Sequence, residues 1–80
     1  MEDDHKKYFI IIGKNVKRFR KEQGLSQQEL ANSCNRVDRS KISDIENAKE
    51  DFMLSTLLEI CIALKISLTE LTIDISDENS

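Results

Sequence analysis

Residues 24–49 read GLSQQELANSCNRVDRSKISDIENAK, and the spacing of caps and apolar positions in this stretch decides the architecture. Ser26 and Glu29 stand at capping-box spacing, in which the hydroxyl accepts from the third helical amide and the carboxylate accepts from the serine amide. A helix therefore opens after Ser26 and carries Leu30, Ala31 and Cys34 inward before the polar pair Asn35 and Arg36. Asp38 is the next good N-cap. Ile42 and Ile45, three apart, supply the inward side of the short helix it opens. Gly24, ahead of the first cap, suits the left-handed position that commonly follows a helix C-terminus.

Outward from this pair, Tyr8, Ile12, Val16 and Phe19 recur at spacings of four, four and three, which predicts a first helix with one apolar stripe among Lys14, Lys17, Arg18 and Lys21. The run Phe9, Ile10, Ile11 is either added core packing or a stripe for a partner. After a polar link over 47–51, Leu54, Leu57, Leu58, Ile60, Cys61 and Leu64 predict a fourth, deeply buried helix. Ser67 and Glu70 repeat the capping-box spacing and open a fifth through Leu68 and Leu71. Beyond it Leu71, Ile73 and Ile75 alternate with Thr72, Asp74 and Ser76, a period of two that fits a strand, before an acidic end that frays. The expected fold is all-α with five helices, one domain over 1–80, its core at 6–72 and a short extended or frayed acidic tail at 73–80.

Eighty residues leave room for one core, and with only four aromatics that core is built mainly from Leu, Ile and Val. The longest apolar run, 8–12, is far below the roughly 20 residues a membrane span needs. Cys34 and Cys61 sit among apolar residues with no signal-peptide pattern ahead of them, so a reducing, bacterial-type cytoplasm is expected. His5 is the single histidine, and no Cys/His cluster with zinc spacing can be assembled, so neither metal nor cofactor is expected. No nucleophile, base and orienting group share a motif spacing and no Gly-rich phosphate loop occurs, which argues against an enzyme.

The net charge of −3 speaks at first against nucleic acid, yet it is unevenly spread. Residues 14–49 hold nine Lys/Arg against five Asp/Glu, whereas 50–80 hold one against seven. A basic middle beside an acidic C-terminal third suggests one surface facing DNA and one facing away. Ordinary solvated helix faces are the alternative.

A capped short helix, a turn and a second short polar-faced helix form the helix-turn-helix outline, whose second helix enters the major groove. The residues themselves resemble the Cro and phage-repressor type, XRE-like helix-turn-helix proteins through IGKNVKRFRKEQGLSQQELA (12–31), KISDIENAK (41–49) and LSTLLEICIALKISLTEL (54–71). The resemblance implies a lambda-repressor-like domain that binds double-stranded DNA and regulates transcription as a repressor or controller. It implies that Gln27 donates to a phosphate at the N-terminus of its helix. It places Arg39, Ser40 and Asp44 toward base edges, with Arg39 able to bond guanine O6 and N7 together. Lys41, Ser43, Asn47 and Lys49 would lie near the DNA backbone. Without DNA contact each of these is a solvated polar side chain. Arg20 and Glu46 match positions of a structural ion pair.

Three departures stand out. The turn at 33–37 is one residue longer than is common in the family. Ala48 replaces a frequent glycine, where positive φ would strain it. Met53 replaces a frequent capping serine, which leaves Asp51 as an earlier start for the fourth helix. Asp44 either accepts from cytosine N4 or pairs with a nearby cation. One helix-turn-helix reads half a site, so a homodimer on a near-palindromic operator is implied, with Leu58, Ile62, Leu68, Leu71, Ile73 and Ile75 as interface candidates. Several of these instead could complete the monomer core. The competing reading is an antitoxin whose acidic third neutralises a partner protein, with DNA binding secondary.

Overall fold

The computed structural model describes residues 3–49 and 51–74. Among them the chain forms five helices: α1 (Asp3–Glu22), α2 (Gln27–Asn32), α3 (Arg39–Glu46), α4 (Leu54–Leu64) and α5 (Leu68–Thr72). Helix α1 packs on α3, α4 and α5, while α2 packs on α3 and α4. The centre is Val16, Leu30, Ile42, Ile45, Ile60, Leu64 and Leu71, all essentially without exposure. Every helix thus contributes at least one fully buried aliphatic side chain, as aliphatic-rich composition in a short chain requires.

Both capping boxes form: Ser26 Oγ accepts from the Glu29 amide at 3.0 Å and Ser67 Oγ from the Glu70 amide at 3.0 Å, each returned by the glutamate carboxylate. Helix α4 begins at Leu54 with no side-chain cap on Met53. Asp51 does not start it earlier, because its carboxylate turns back to accept from the Phe52 amide at 2.8 Å. Three helix C-termini close alike. Gly24 (φ 71), Ala48 (φ 52) and Lys65 (φ 59) are left-handed, and the residue after each donates to a carbonyl five positions back. This is the Schellman arrangement, which favours glycine; the strain expected at Ala48 is present, and Lys65 shares it.

Several expected positions shift. Tyr8 is 62% exposed and lies off the apolar stripe, which runs from Ile12 through Val16 and Phe19. Phe9 is half-buried instead, edge-on to Phe52 at 4.9 Å, so the run over 9–11 serves packing at least at Phe9. Leu54 heads α4 with 61% exposure and does not join the core. The strand expected from 71 onward is absent among the described residues. Asn15, itself buried, donates Nδ2 to the carbonyls of Leu71 and Ile73, both at 2.7 Å. Those bonds tie down the end of α5 and the residue after it: the chain is helical to Thr72 and extended at Ile73. Ile75 and the acidic end lie outside the described residues.

Gly13 sets the distance between α1 and α3. A Cβ there would collide with the Ile45 carbonyl oxygen and stand 3.0 Å from that of Glu46.

Candidate nucleic-acid interface

Helix α3 owes its start to Asp38, whose Oδ1 accepts from the Lys41 amide at 2.8 Å. Ile42 and Ile45 anchor its inner side with 0% and 1% exposure, and Val37 pins the preceding turn into the core. Burial of that side forces the other outward. Arg39, Ser40, Asn47 and Lys49 are exposed, and Lys41, Ser43 and Asp44 are half-buried. Among the described residues neither Arg39 nor Asp44 has an ion pair, so the pairing alternative for Asp44 is not realised there. Asn47 folds back to donate Nδ2 to the Ser43 carbonyl at 2.8 Å, closing the last turn of α3.

The C-terminal end of α3 is tied to α1 and α2 by one carboxylate. Arg20 grips Glu46 with two bonds, Nε to Oε2 at 2.7 Å and Nη2 to Oε1 at 3.1 Å, and its Nη1 reaches the Leu25 carbonyl at 2.7 Å. Both side chains are nearly dry, at 9% and 3% exposure. The hydrogen bonds to Glu46 raise the Arg20 pKa above its already high ordinary value, against the opposing effect of burial. Gln27 also donates Nε2 to Glu46 Oε1, at 3.1 Å. Gln27 is therefore not simply a solvated polar side chain: it helps orient the helix pair, and one hydrogen of its amide stays available for another acceptor.

Sequence reasoning missed Glu59. Its Oε1 accepts from the amides of Asn35 (2.7 Å) and Arg36 (3.0 Å), inside the long turn between α2 and α3. A carboxylate 23 and 24 positions away carries no local signal. Gln23, which donates to the Leu64 carbonyl at 2.6 Å at the end of α4, was equally invisible.

On α4, on α5 and just past its end, Leu58 (42%), Ile62 (77%), Leu68 (38%) and Ile73 (40%) are exposed. Leu71 is fully buried, so it belongs to the monomer core and is withdrawn from the interface candidates. Leu54 precedes Leu58 and Ile62 at intervals of four, completing an exposed apolar line along one side of α4. No helix among the described residues is long and apolar enough to cross a membrane, and no metal-binding cluster occurs among them.

A short polar-faced helix packed on a second, capped helix is the helix-turn-helix arrangement. The helix-turn-helix family profile matches residues 16–71, and the chain belongs to that family of DNA-binding transcription regulators. It is 40% identical over 70 residues to the control protein C.MunI of a Mycoplasma species, covering 86% of this chain and 93% of that one. Among solved structures it is similar to the restriction-modification controller protein C.AhdI of Aeromonas hydrophila (TM-score 0.78, 31% identity, 85% of this chain and 97% of that one). It is also similar to the hypothetical transcription factor NHTF of Neisseria (TM-score 0.82, 26% identity, 90% and 82%).

Proposed function

We propose that the protein is a controller-type regulator that binds a near-palindromic operator as a homodimer, with α3 of each copy in successive major grooves. The observation that carries this reading is the split of α3 into a dry side, Ile42 and Ile45, and an outward polar side headed by Arg39 and Ser40. Its likeness to a control protein and to a restriction-modification controller, each over most of both chains, supports the controller class.

In this reading Arg39 bonds a guanine bidentately, which is worth about 1–3 kcal/mol of discrimination. Ser40 and Asp44 face neighbouring base edges, with Asp44 suited to accept from cytosine N4. Lys41, Ser43, Asn47 and Lys49 flank the sugar-phosphate backbone, and Gln27 uses its remaining amide hydrogen on a phosphate. A second copy covers Leu54, Leu58, Ile62, Leu68 and Ile73, setting two α3 helices about 34 Å apart. The protein acts in the cytoplasm, where its DNA is.

Selection from a random 30-base-pair duplex pool tests it, run in parallel with Arg39→Ala at moderate and raised salt. A two-fold symmetric sequence enriched by the wild type and lost with Arg39→Ala is the expected result. Retention of DNA with no enriched sequence, fading with salt, would reduce the activity to backbone binding. No retention at all would overturn the reading in favour of a protein partner.

A further inference from the structure

The turn at 33–37 must deliver Asp38, and with it Arg39, at a defined angle. Its first part closes on α2, since the Ser33 amide donates to Leu30 and Ala31 and the Cys34 amide to the Ala31 carbonyl at 3.0 Å. Its last residue, Val37, is buried at 6%. The amides between, on Asn35 and Arg36, both converge on Glu59 Oε1, at 2.7 and 3.0 Å. Two successive N–H groups aimed at one anionic oxygen fix the relative orientation of their peptide planes.

We propose that Glu59 is a positioning residue for DNA sequence recognition: from α4 its carboxylate holds the turn in the one conformation that presents Arg39 to the base edges. Asn35 and Arg36 are exposed, so water can satisfy their amides when the carboxylate is gone. The clamp therefore restricts conformation more than it stabilises the fold. Bidentate readout by Arg39 depends on that conformation, whereas phosphate attraction by Lys and Arg tolerates a change of angle. Glu59 also lies between Leu58 and Ile62 in sequence, so the helix that grips the turn is the one carrying the exposed apolar line.

This assignment rests on α3 being the base-reading helix, so the test has one arm without DNA. Wild type, Glu59→Gln, Glu59→Asp and Glu59→Ala are compared. Glutamine keeps an oxygen acceptor at the same reach. Aspartate keeps the charge but is shorter by about 1.5 Å, one C–C bond. In amide hydrogen exchange of the free protein, protection at Asn35 and Arg36 should persist in Glu59→Gln and fall in Glu59→Asp and Glu59→Ala, with the core amides of Ile42 and Ile60 unchanged. In binding, affinity for the selected duplex should fall about tenfold or more in Glu59→Asp and Glu59→Ala, while affinity for a scrambled duplex stays within about twofold. Unchanged protection in Glu59→Ala overturns the clamp. Rescue by aspartate and not by glutamine, or equal loss on both duplexes, overturns the positioning role in favour of charge or general stability. If the wild type itself prefers no sequence, the operator reading fails while exchange still decides the clamp.

Discussion

Replacing Arg20 with leucine should unfold much of the protein's margin of stability. The substitution leaves the Glu46 carboxylate, 3% exposed, with Gln27 as its remaining partner in place of three donated bonds from two side chains. An uncompensated buried charge of this kind costs about 3–5 kcal/mol. An 80-residue domain has roughly 4–12 kcal/mol in total, so Arg20→Leu should lower Tm by about 15–30 °C. Removing both charges, Arg20→Leu with Glu46→Leu, should recover a large part of that loss, because neither ion is then stranded. Urea and thermal unfolding of the four proteins in the cycle measure this directly. The Arg20 pKa is raised in the fold, so its contribution is complete below the ordinary arginine value and is lost only at still higher pH. The deficit of Arg20→Leu should therefore not grow or shrink through Arg20 titration between pH 6 and about 10. A single-mutant loss under about 1 kcal/mol, or a double mutant no better than the singles, would refute the picture of a dry, mutually dependent pair.

Ala48→Gly and Lys65→Gly relieve left-handed residues at φ 52 and φ 59, and each should gain about 1 kcal/mol, seen as a Tm rise of roughly 4–8 °C. Gly13→Ala drives a methyl into the Ile45 carbonyl and should cost about 1–3 kcal/mol by urea unfolding, with α1 forced away from α3. Hydrogen bonds from the Ser26 amide and side chain hold the Glu29 carboxyl below the usual glutamate value. The capping box therefore stabilises fully above the ordinary range, and its contribution is lost as pH falls through the lowered value. Carbon-13 titration of Glu29 should show a depressed midpoint that returns toward normal in Ser26→Ala.

The helices were legible because their signals are local. Ser26 with Glu29, Asp38, Ser67 with Glu70 and the Ile42, Ile45 spacing each act within a turn, and each formed as read. Tyr8 and Leu54 were misplaced because periodicity identifies an apolar side without saying where the neighbouring helices stop covering it. The alternation from 71 onward holds only in part: the chain is helical to Thr72 and extended at Ile73, where Asn15, 56 positions from Leu71, bonds the Leu71 and Ile73 carbonyls, and Ile75 lies outside the described residues. At the interface, the outward residues of α3 followed from its inward ones. What sets its angle did not: Gly13 and Glu59 act across the fold, through close approach and a long-range carboxylate. Arg20 with Glu46 was accessible only through family resemblance, and the structure adds Gln27 to that pair.

In the proposed complex α3 reads base edges through Arg39 while the cations beside it hold the DNA backbone. The measurement that tests it most directly is the affinity of wild type, Arg39→Ala and Lys49→Ala for the selected duplex and for a scrambled one, across a salt series. Arg39→Ala should lose about 1–3 kcal/mol on the selected duplex alone, while Lys49→Ala should weaken both duplexes alike and reduce the salt slope by about one. Equal loss on both duplexes in Arg39→Ala would contradict it, and would make Arg39 one more phosphate contact.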